Sequence, residues 1–402
     1  MPLDQQQIYL DYQATTPVDP RVVDKMLPFF TSHFGNPSSD VHGFGKDARA
    51  ALDDARVSVG NIINADGADI YFTSGATEAI NLALLGTAAN DPRKHIVTCA
   101  TEHKAVLDPC LHLSSRGYRV TVLPVESSGI VSSALFERAL CDDTLLVSIM
   151  LANNEIGTVQ PIAELAAIAH DRGAFFHCDA AQGLGRVPLD IRTTPVDFVS
   201  MSAHKIYGPK GAGALYVRRQ RRRATAPILF GGGQERGLRP GTPNVPALVG
   251  FGAAADILHA CAADESARLR SMSARMLATL RSSVADIELN GPCTDARLPG
   301  NLNLSIAGVD SDALMIAVRE LAFSKGSACT SASIQPSHVL RAIGVRDDLL
   351  FSTIRIGVGR FTTDAEVEFA SNRLLQAIQQ LRAIAGPAHP DNRPQTSPEN
   401  VI

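Results

Sequence analysis

Several hallmarks of secreted, membrane-bound and nucleic-acid-binding proteins are missing from this sequence. No two of its seven cysteines form a Cys-x-x-Cys pair, which argues against a disulfide scaffold and against a closed zinc site. No apolar run is long enough to cross a bilayer, and the N-terminus lacks the basic and apolar parts of a secretory signal. The formal net charge of -4 gives no sign of a basic nucleic-acid-binding face. We therefore expect a cytoplasmic protein that binds neither membranes nor nucleic acid directly.

The rest of the composition is that of an ordinary globular chain. Apolar residues make up 45% and charged residues 19% of the 402 residues, a length that suits two domains. We expect a large domain over residues 15–262, a small α+β domain from residues 1–14 and 263–385, and a disordered, proline-rich tail over 386–402. The one basic run, 218–223, is interpreted as a solvated loop, with an acidic partner as the alternative.

The large domain alternates short apolar runs with helical patterns. Such alternation predicts an α/β fold with a mostly parallel sheet, in which ligands bind beyond the carboxyl ends of the strands. The candidate strands are Ile70–Phe72, Ile96–Cys99, Arg119–Leu123, Leu145–Met150, Phe175–Asp179, Phe198–Met201 and Ala214–Val217. The residues at the ends of these strands are therefore the ones to inspect for chemistry.

Lys205 lies just after one of these apolar runs, within Ser202–Gly211. Burial disfavours the ammonium form, and a lysine that loses its proton can attack a carbonyl. Lys205 is therefore a candidate Schiff-base lysine for pyridoxal 5'-phosphate. The alternative is a surface lysine after an edge strand.

Other strand ends carry groups that suit the same cofactor. The segment Ser74–Glu78 starts a helix and is a candidate anion site, although a plain helix cap has the same pattern. Asp179 is a candidate partner for a protonated pyridine nitrogen, with an arginine pair as the alternative. His103 is a candidate for ring stacking or proton transfer, or a structural histidine. The amides Asn154 and Gln182 suit a ring hydroxyl, or belong to ordinary loops.

Two residues of the small domain suit substrate chemistry. Cys329 lies in a stretch of Ser, Gly, Ala and Thr, where a thiol is exposed and better placed to react than a buried one. Arg355 interrupts an apolar strand, and an inward-pointing arginine needs an anion, either a substrate carboxylate or an internal carboxyl.

Six motifs together resemble the cysteine desulfurase family, the class-V aminotransferase-like branch of fold type I PLP enzymes. The resemblance covers residues 8–383, and the segment around Cys329 resembles the group with a long catalytic loop. The motifs are Tyr9–Pro17, Thr73–Glu78, Thr101–Val106, Asn153–Gly157, His204–Gly211 and Gly326–Ser331.

The resemblance implies a fold and a set of residue roles. The fold is a large domain with a seven-stranded mostly parallel sheet plus a smaller α+β domain. Lys205 carries the cofactor, Asp179 pairs with its ring nitrogen, and His103 stacks on the ring. The remaining implied cofactor contacts are Gln182 and Asn154 at the ring hydroxyl, Ala76, Thr77, Ser202 and His204 at the phosphate, and Thr242 at the phosphate of a partner subunit.

The resemblance also implies a reaction and its partners. Asn154 and Arg355 hold the carboxylate of L-cysteine, and Cys329 attacks the substrate sulfur, which releases alanine and leaves a persulfide. The expected partners are a second copy of the chain, in a homodimer, and a sulfur acceptor such as an iron–sulfur cluster scaffold. No resident metal is expected, although Cys329 is the candidate ligand of a transient iron–sulfur cluster. The alternatives are selenocysteine lyase and a non-catalytic scaffold of the same fold.

Overall fold

The computed structural model describes residues 7–293, 296–325 and 336–385. The predicted nucleophile Cys329 and the tail 386–402 lie outside these residues. The described strands are β1 (Ile8–Tyr9), β2 (Ile70–Thr73), β3 (His95–Cys99), β4 (Arg119–Leu123), β5 (Thr144–Ser148), β6 (Phe175–Asp179), β7 (Phe198–Ser202), β8 (Gly213–Val217), β9 (Ile287–Leu289), β10 (Asn301–Ile306), β11 (Leu321–Ala322), β12 (Ser324–Lys325) and β13 (Thr353–Gly357).

The helices connect these strands and cover the sheets. They are α1 (Pro20–Met26), α2 (Pro28–Thr31), α3 (Gly43–Asn61), α4 (Ala76–Asn90), α5 (Lys104–Ser115), α6 (Ser133–Ala139), α7 (Ile162–Asp171), α8 (Val245–Ser283), α9 (Ser311–Ala317), α10 (His338–Ala342) and α11 (Asp364–Ala385).

The central sheet has seven strands in the order β2-β8-β7-β6-β5-β3-β4. Strand β8 runs antiparallel to its neighbours β2 and β7, and the pairs from β7 to β4 are all parallel. All seven strands predicted from the sequence are present, within two residues at each end. The prediction of a seven-stranded, mostly parallel sheet in a fold type I architecture is confirmed.

Apolar side chains cover both faces of this sheet. One buried cluster includes Phe176 and Val199 and packs against α3, α7 and α8, while a second includes Leu146 and Phe198 and packs against α4 and α5. Side chains of a strand alternate between the two faces, so a strand covered on both sides reads as a continuous apolar run. This double burial explains why the strands were readable in the sequence.

Helix α8 crosses the predicted end of the large domain. It begins at Val245 and continues through residue 262 to Ser283, so the two predicted domains share one helix. Its first half contributes Phe251 and Leu258 to the core of the large sheet, and its second half contributes Leu269 and Met276 to a separate cluster. The domain bounds themselves remain predictions. By length and composition α8 could span a membrane, but half of its most apolar window is buried in the protein, as in a core helix.

The separate cluster that contains Leu269 and Met276 lies beneath a smaller antiparallel sheet, whose strand order is β12-β13-β10-β9. Side chains of α11 pack into the same cluster. Strand β1 pairs with β11, so the start of the chain joins this smaller unit. An isolated bridge between Asp11 and Gly357 extends that connection to β13. The segment that follows β1 is thereby held between the two units.

The basic run 218–223 is largely paired within the chain. Arg218 and Arg221 form ion pairs with the buried carboxylate of Asp197. Arg219 and Arg222 form ion pairs with Asp69. Most of the run forms a short 3-10 helix rather than a freely solvated loop, and most of its guanidinium groups are ion-paired with these two acids.

Candidate active site

A cavity of about 550 Å³ opens at the carboxyl ends of the parallel strands. Its walls come from segments that follow different strands: 74–77 follows β2, His103 follows β3, Asn154 follows β5, and His204 and Lys205 follow β7. Asp179, the last residue of β6, also lines it. Ligands in open α/β sheets bind at this edge. The strand ends singled out in the sequence therefore meet in one place.

The structure brings together most of the predicted site residues. Those that line the cavity are Ala76, Thr77, His103, Asn154, Asp179, Gln182, Ser202, His204, Lys205 and Arg355. Thr242 is exposed in the loop before α8 and is not part of the cavity wall of its own chain. Its contact with a partner's cofactor stays a prediction, as does the role of Cys329.

Lys205 projects from the turn after β7 toward the N-terminal segment. Its Nζ donates hydrogen bonds to the backbone carbonyls of Gln13, at 2.5 Å, and Ala14, at 2.8 Å. Both carbonyls belong to the segment after β1, which the two units hold between them. The amine of Lys205 is therefore directed into the cavity by contacts from outside its own strand.

The turn that carries Lys205 contains a strained residue. Tyr207 is buried and adopts a φ of 66°, in the left-handed region that costs a non-glycine residue about 1–2 kcal/mol. Its backbone N–H donates to the hydroxyl of Thr16, and its phenol oxygen accepts the N–H of Arg360 at 2.5 Å. These contacts from two other segments hold the turn in a conformation that its own sequence does not favour.

Asp179 is a buried carboxyl that faces the cavity. Burial raises its pKa, while a 2.9 Å hydrogen bond from the N–H of Ala181 and the nearby His103 and Lys205 favour the ionised form. A second buried acid, Glu102, lies close enough to interact with Asp179, and burial together with Asp179 raises the pKa of Glu102 well above its usual range. Burial thus disfavours ionisation of both carboxyls, and of the two it is Asp179 that lines the cavity.

The helix that His103 caps determines which ring nitrogen of His103 carries the proton. Its Nδ1 accepts a hydrogen bond from the N–H of Ala105 at 3.1 Å, at the start of α5. A nitrogen that accepts carries no proton, so the neutral ring carries its proton on Nε2. His103 can therefore present its Nε2–H to a ligand in the cavity.

The N-terminus of α4 forms the opposite end of the cavity. Backbone N–H groups at a helix start attract anions, and Ser202 and His204 face the same end. Burial and the nearby Lys205 and Lys210 lower the pKa of His204 to about 4, so its ring is neutral at neutral pH. A Cβ on Gly213 would lie 2.4 Å from the Cα of Gly75, so only glycine allows β8 to approach this turn. The arrangement fits a phosphate group.

Arg355 occupies the side of the cavity nearest the smaller unit. Its fully buried guanidinium donates to Asp11 at 2.7 Å, to the carbonyl of Asn154 at 3.2 Å and to the hydroxyl of Ser324 at 3.3 Å. Within the described part of the chain its Nε, also buried, finds no acceptor. Both alternatives raised from the sequence thus have support, because Asp11 is an internal partner and Arg355 also lines the cavity.

The turn 153–157 joins the cavity wall to the smaller unit. The side chain of Asn153 accepts the N–H of Glu155, and the carbonyl of Glu155 accepts the side-chain amides of Asn301 and Asn303 on β10. Gly157 has a φ of 73°, and a Cβ there would lie 2.6 Å from the side-chain oxygen of Asn301. The turn is therefore packed too closely against β10 to accept a side chain at Gly157.

Sequence reasoning missed several residues that shape this site. Gln13 belonged to a quoted motif without a role, yet its carbonyl also accepts the side-chain amide of Gln182 at 2.8 Å. Glu102 and Glu155 were read as parts of motifs, and nothing in their spacing showed that both carboxyls are buried. Glu102 follows the end of β3 by three residues and Glu155 follows the end of β5 by seven, so neither position marked a buried acid in the sequence.

Comparison with known proteins agrees with this architecture. The sequence model of the Aminotransferase class-V family matches residues 8–369. A cysteine desulfurase IscS from Rickettsia rickettsii (strain Iowa) is 47% identical over 380 residues, which are 94% of this chain and 92% of that protein. The chain belongs to the cysteine desulfurase family of class-V aminotransferases. The family resemblance read from the sequence is confirmed.

Two solved structures of this family share the fold. One, a NifS-like protein, is 33% identical with a TM-score of 0.87, and the alignment covers 93% of this chain and all of that one. The other, SspA in complex with cysteine, is 34% identical with a TM-score of 0.78 and covers 89% of this chain and all of that one. Both similarities span the large sheet and the smaller unit together.

Class-V aminotransferases use pyridoxal phosphate, and the cavity fits it. Lys205 supplies an amine, Asp179 a buried carboxylate for the ring nitrogen, and the start of α4 an anion site. The close approach of Gly75 and Gly213 keeps that anion site open to a phosphate. The predicted cofactor therefore matches both the family and the residues present.

Proposed function

We propose that this protein is a PLP-dependent L-cysteine desulfurase that forms L-alanine and leaves the sulfur as a persulfide on Cys329. The proposal rests on one observation. A single cavity is lined by Lys205, Asp179 and the buried Arg355, whose Nε lacks an acceptor among the described residues. An amine, an ion-pairing carboxylate and a carboxylate-binding cation are the groups that an amino-acid substrate of a PLP enzyme requires.

Each residue has a definable task. Bound pyridoxal phosphate supplies an electron sink for the charge left when the substrate loses its α-proton. Lys205 and Asp179 hold the cofactor at its two reactive ends, and the amine of Lys205 is positioned to take up the α-proton. His103 holds a proton on Nε2 next to the same space. The Cys329 thiolate then attacks the substrate sulfur, and the carbon–sulfur bond breaks with its electron pair remaining on the carbon side. A proton added to the β-carbon and a proton returned to the α-carbon complete alanine.

Arg355 is expected to decide cysteine affinity. Replacing Arg355 by alanine removes a charged donor, a loss that typically costs about 2–5 kcal/mol, so KM should rise far more than kcat falls. Arg355→Lys is the matched variant, because it keeps the positive charge beside Asp11 but loses Nε and the planar donor fork. Initial rates over a range of cysteine concentrations measure both constants. An unchanged KM in both variants would contradict a carboxylate-binding role.

The proposed activity is tested by giving L-cysteine to the purified protein with PLP and a thiol reductant. Alanine and sulfide should appear in equal amounts, because one carbon–sulfur bond is broken for each alanine formed. Turnover of selenocysteine without turnover of cysteine would favour selenocysteine lyase instead. A yellow protein that turns over neither substrate would support the non-catalytic scaffold.

We further propose a homodimer. Phe230 directly precedes the glycine-rich segment that leads to Thr242 and is 88% exposed. Phe34 and Phe44, whose rings stack at 5.3 Å, are also more than half exposed. Exposed apolar groups of this kind mark interaction surfaces. Their position supports a partner subunit that receives Thr242.

The acceptor and the location are also part of the proposal. A persulfide needs an acceptor, and an iron–sulfur cluster scaffold is the proposed one, in a cytoplasmic pathway, with Cys329 as a transient cluster ligand. The six cysteines of the described ranges are all unpaired thiols, as in a reducing compartment. Among the same residues no group of three or more His, Cys, Asp or Glu side chains could hold a metal ion.

A further inference from the structure

A second cavity, of about 400 Å³, lies between the turn that follows β6 and helix α8. Its described lining residues are all different from those of the active-site cavity. Apolar side chains form most of its wall, among them Ile62, Val187, Leu189, Leu258 and Ala262. Small-molecule sites in proteins are mostly apolar and enclose about 300–1,000 Å³, so this cavity has the size and lining of such a site.

Arg186 is the buried cation in the wall of this cavity. Its exposed fraction is 7%, and its Nη2 is buried and has no hydrogen-bond partner among the described residues. None of the ion pairs formed within residues 7–293, 296–325 and 336–385 includes Arg186. An arginine does not lose its proton in a protein, so this charge stays in place. A buried charge without a partner costs free energy, which a bound anion would recover.

The ionisable groups near Arg186 do not neutralise it. The other ionisable side chains among the described lining residues are His259 and Arg270, and neither is an acid. Glu265, the buried acid on this part of α8, already forms an ion pair elsewhere. Tyr207 is close enough to interact with Arg186, but burial raises the pKa of its phenol, which therefore stays neutral. The wall thus presents positive charge to a molecule that enters the cavity.

The backbone that carries Arg186 is fixed before any ligand binds. The N–H groups of Arg186 and Val187 both donate to the carbonyl of Gly183, at 2.9 and 2.8 Å. Gly185 has a φ of 67°, and a Cβ there would lie 2.2 Å from the Cδ2 of Leu258, so the turn packs too closely against α8 to accept a side chain. A site whose supporting turn is already held binds its ligand with less loss of conformational freedom.

We propose that this cavity is a second ligand site, which binds a small carboxylate with a short apolar body and pairs the carboxylate with Arg186. The planar guanidinium matches a carboxylate group, and the apolar body would be buried against Leu189 and Leu258. A phosphate suits the cavity less well, because the apolar wall offers few further donors for its additional oxygens. The site does not depend on the proposed desulfurase activity.

The probe for this site is 4-methylpentanoate, titrated into the PLP-loaded protein by isothermal titration calorimetry. The matched ligand is 4-methylpentanamide, which has the same shape without the charge and should not bind measurably. Arg186→Met should weaken binding of 4-methylpentanoate about 30-fold or more, as expected when one partner of a buried charge pair is removed. Arg281→Met is the control variant, because Arg281 is an exposed arginine of α8 outside the cavity, and its affinity should stay within about twofold.

Arg355 in the active-site cavity is the competing site for a carboxylate. Arg355→Ala should therefore keep the affinity for 4-methylpentanoate that Arg186→Met loses. The reverse pattern, with binding lost in Arg355→Ala and kept in Arg186→Met, would overturn the proposal. Tighter binding of inorganic phosphate than of 4-methylpentanoate, lost in Arg186→Met, would overturn the assignment of a carboxylate. Absence of binding by 4-methylpentanoate would overturn it as well.

Thermal unfolding separates a ligand-binding arginine from a structural one. Without ligand, Arg186→Met should unfold at the same temperature as the unaltered protein or a higher one, because replacing an unpaired buried charge by an apolar side chain removes its cost. Addition of 4-methylpentanoate should raise the Tm of the unaltered protein and of Arg281→Met, but not that of Arg186→Met. A Tm that falls by several degrees in ligand-free Arg186→Met would show that Arg186 is held for the stability of the fold, and would overturn the proposal.

Discussion

Replacing Lys205 by alanine is expected to remove both the yellow colour of the protein and its turnover of cysteine, the latter by about 10⁴-fold or more, as when the covalent group of an enzyme is deleted. The reason lies in the turn after β7. Contacts from Thr16 and Arg360 hold the strained Tyr207, and the carbonyls of Gln13 and Ala14 direct the amine into the cavity. Absorbance of the purified protein and alanine release measure the two effects.

Lys210 provides the matched control for this prediction. It is the other lysine that lines the cavity, but it is exposed and lies beyond the turn that holds Lys205. Lys210→Ala should keep the colour, although a weaker attraction for the phosphate is expected. If Lys210→Ala loses the colour while Lys205→Ala keeps it, the two lysines have been assigned in the wrong order.

Replacing Cys329 by alanine is expected to reduce alanine and persulfide formation by at least about 10³-fold, a typical scale for loss of a nucleophile, while the cofactor stays bound. None of the cysteines in the described ranges lines the cavity. Cys178 is adjacent to Asp179, but it points to the opposite face of the sheet, where burial raises its pKa well above the ordinary value. Cys99 and Cys110 are also buried, and burial raises their pKa values. The role of Cys329 stays a prediction, which this variant tests.

Cys293→Ala is the control, because Cys293 is exposed and distant in sequence from the catalytic motifs. It should keep full turnover. In Cys329→Ala the addition of cysteine should still change the cofactor absorbance, since Lys205, Asp179 and Arg355 are intact. Full alanine release by Cys329→Ala would remove the persulfide from the mechanism, and loss of bound cofactor would show that Cys329 has another role.

The large sheet was predictable because each of its strands is defined locally. A strand buried on both faces, such as β5 or β7, is a short apolar run between helical patterns, and the residue at its end points to the ligand edge. Asp179 and Lys205 could therefore be placed at the ligand edge from the sequence alone. Arg355 was noticed as a charged residue in an apolar strand, and the family resemblance supplied the proposed carboxylate-binding role.

The features that were missed depend on contacts between distant segments. The first half of α8 contains Gly250 and Gly252, which weaken a helix in isolation. A Cβ on Gly252 would lie 2.6 Å from the Cα of Ala55, so close packing against α3 requires glycine there. Glu155 posed the same difficulty, because its burial depends on β10 and Ser337, more than 140 residues away. Local periodicity contains neither fact.

The continuity of α8 restricts how this molecule can move. At 1.5 Å per residue the 39 residues of α8 span about 58 Å, and its two halves pack into the two hydrophobic cores. A large rotation of one core relative to the other would have to bend α8 and break its backbone hydrogen bonds. Arg360 strengthens this connection, because it forms ion pairs with Glu265 on α8 and with Asp19 before α1. We therefore expect substrate entry and product exit to involve short segments around the cavity, while the two cores keep their positions relative to each other.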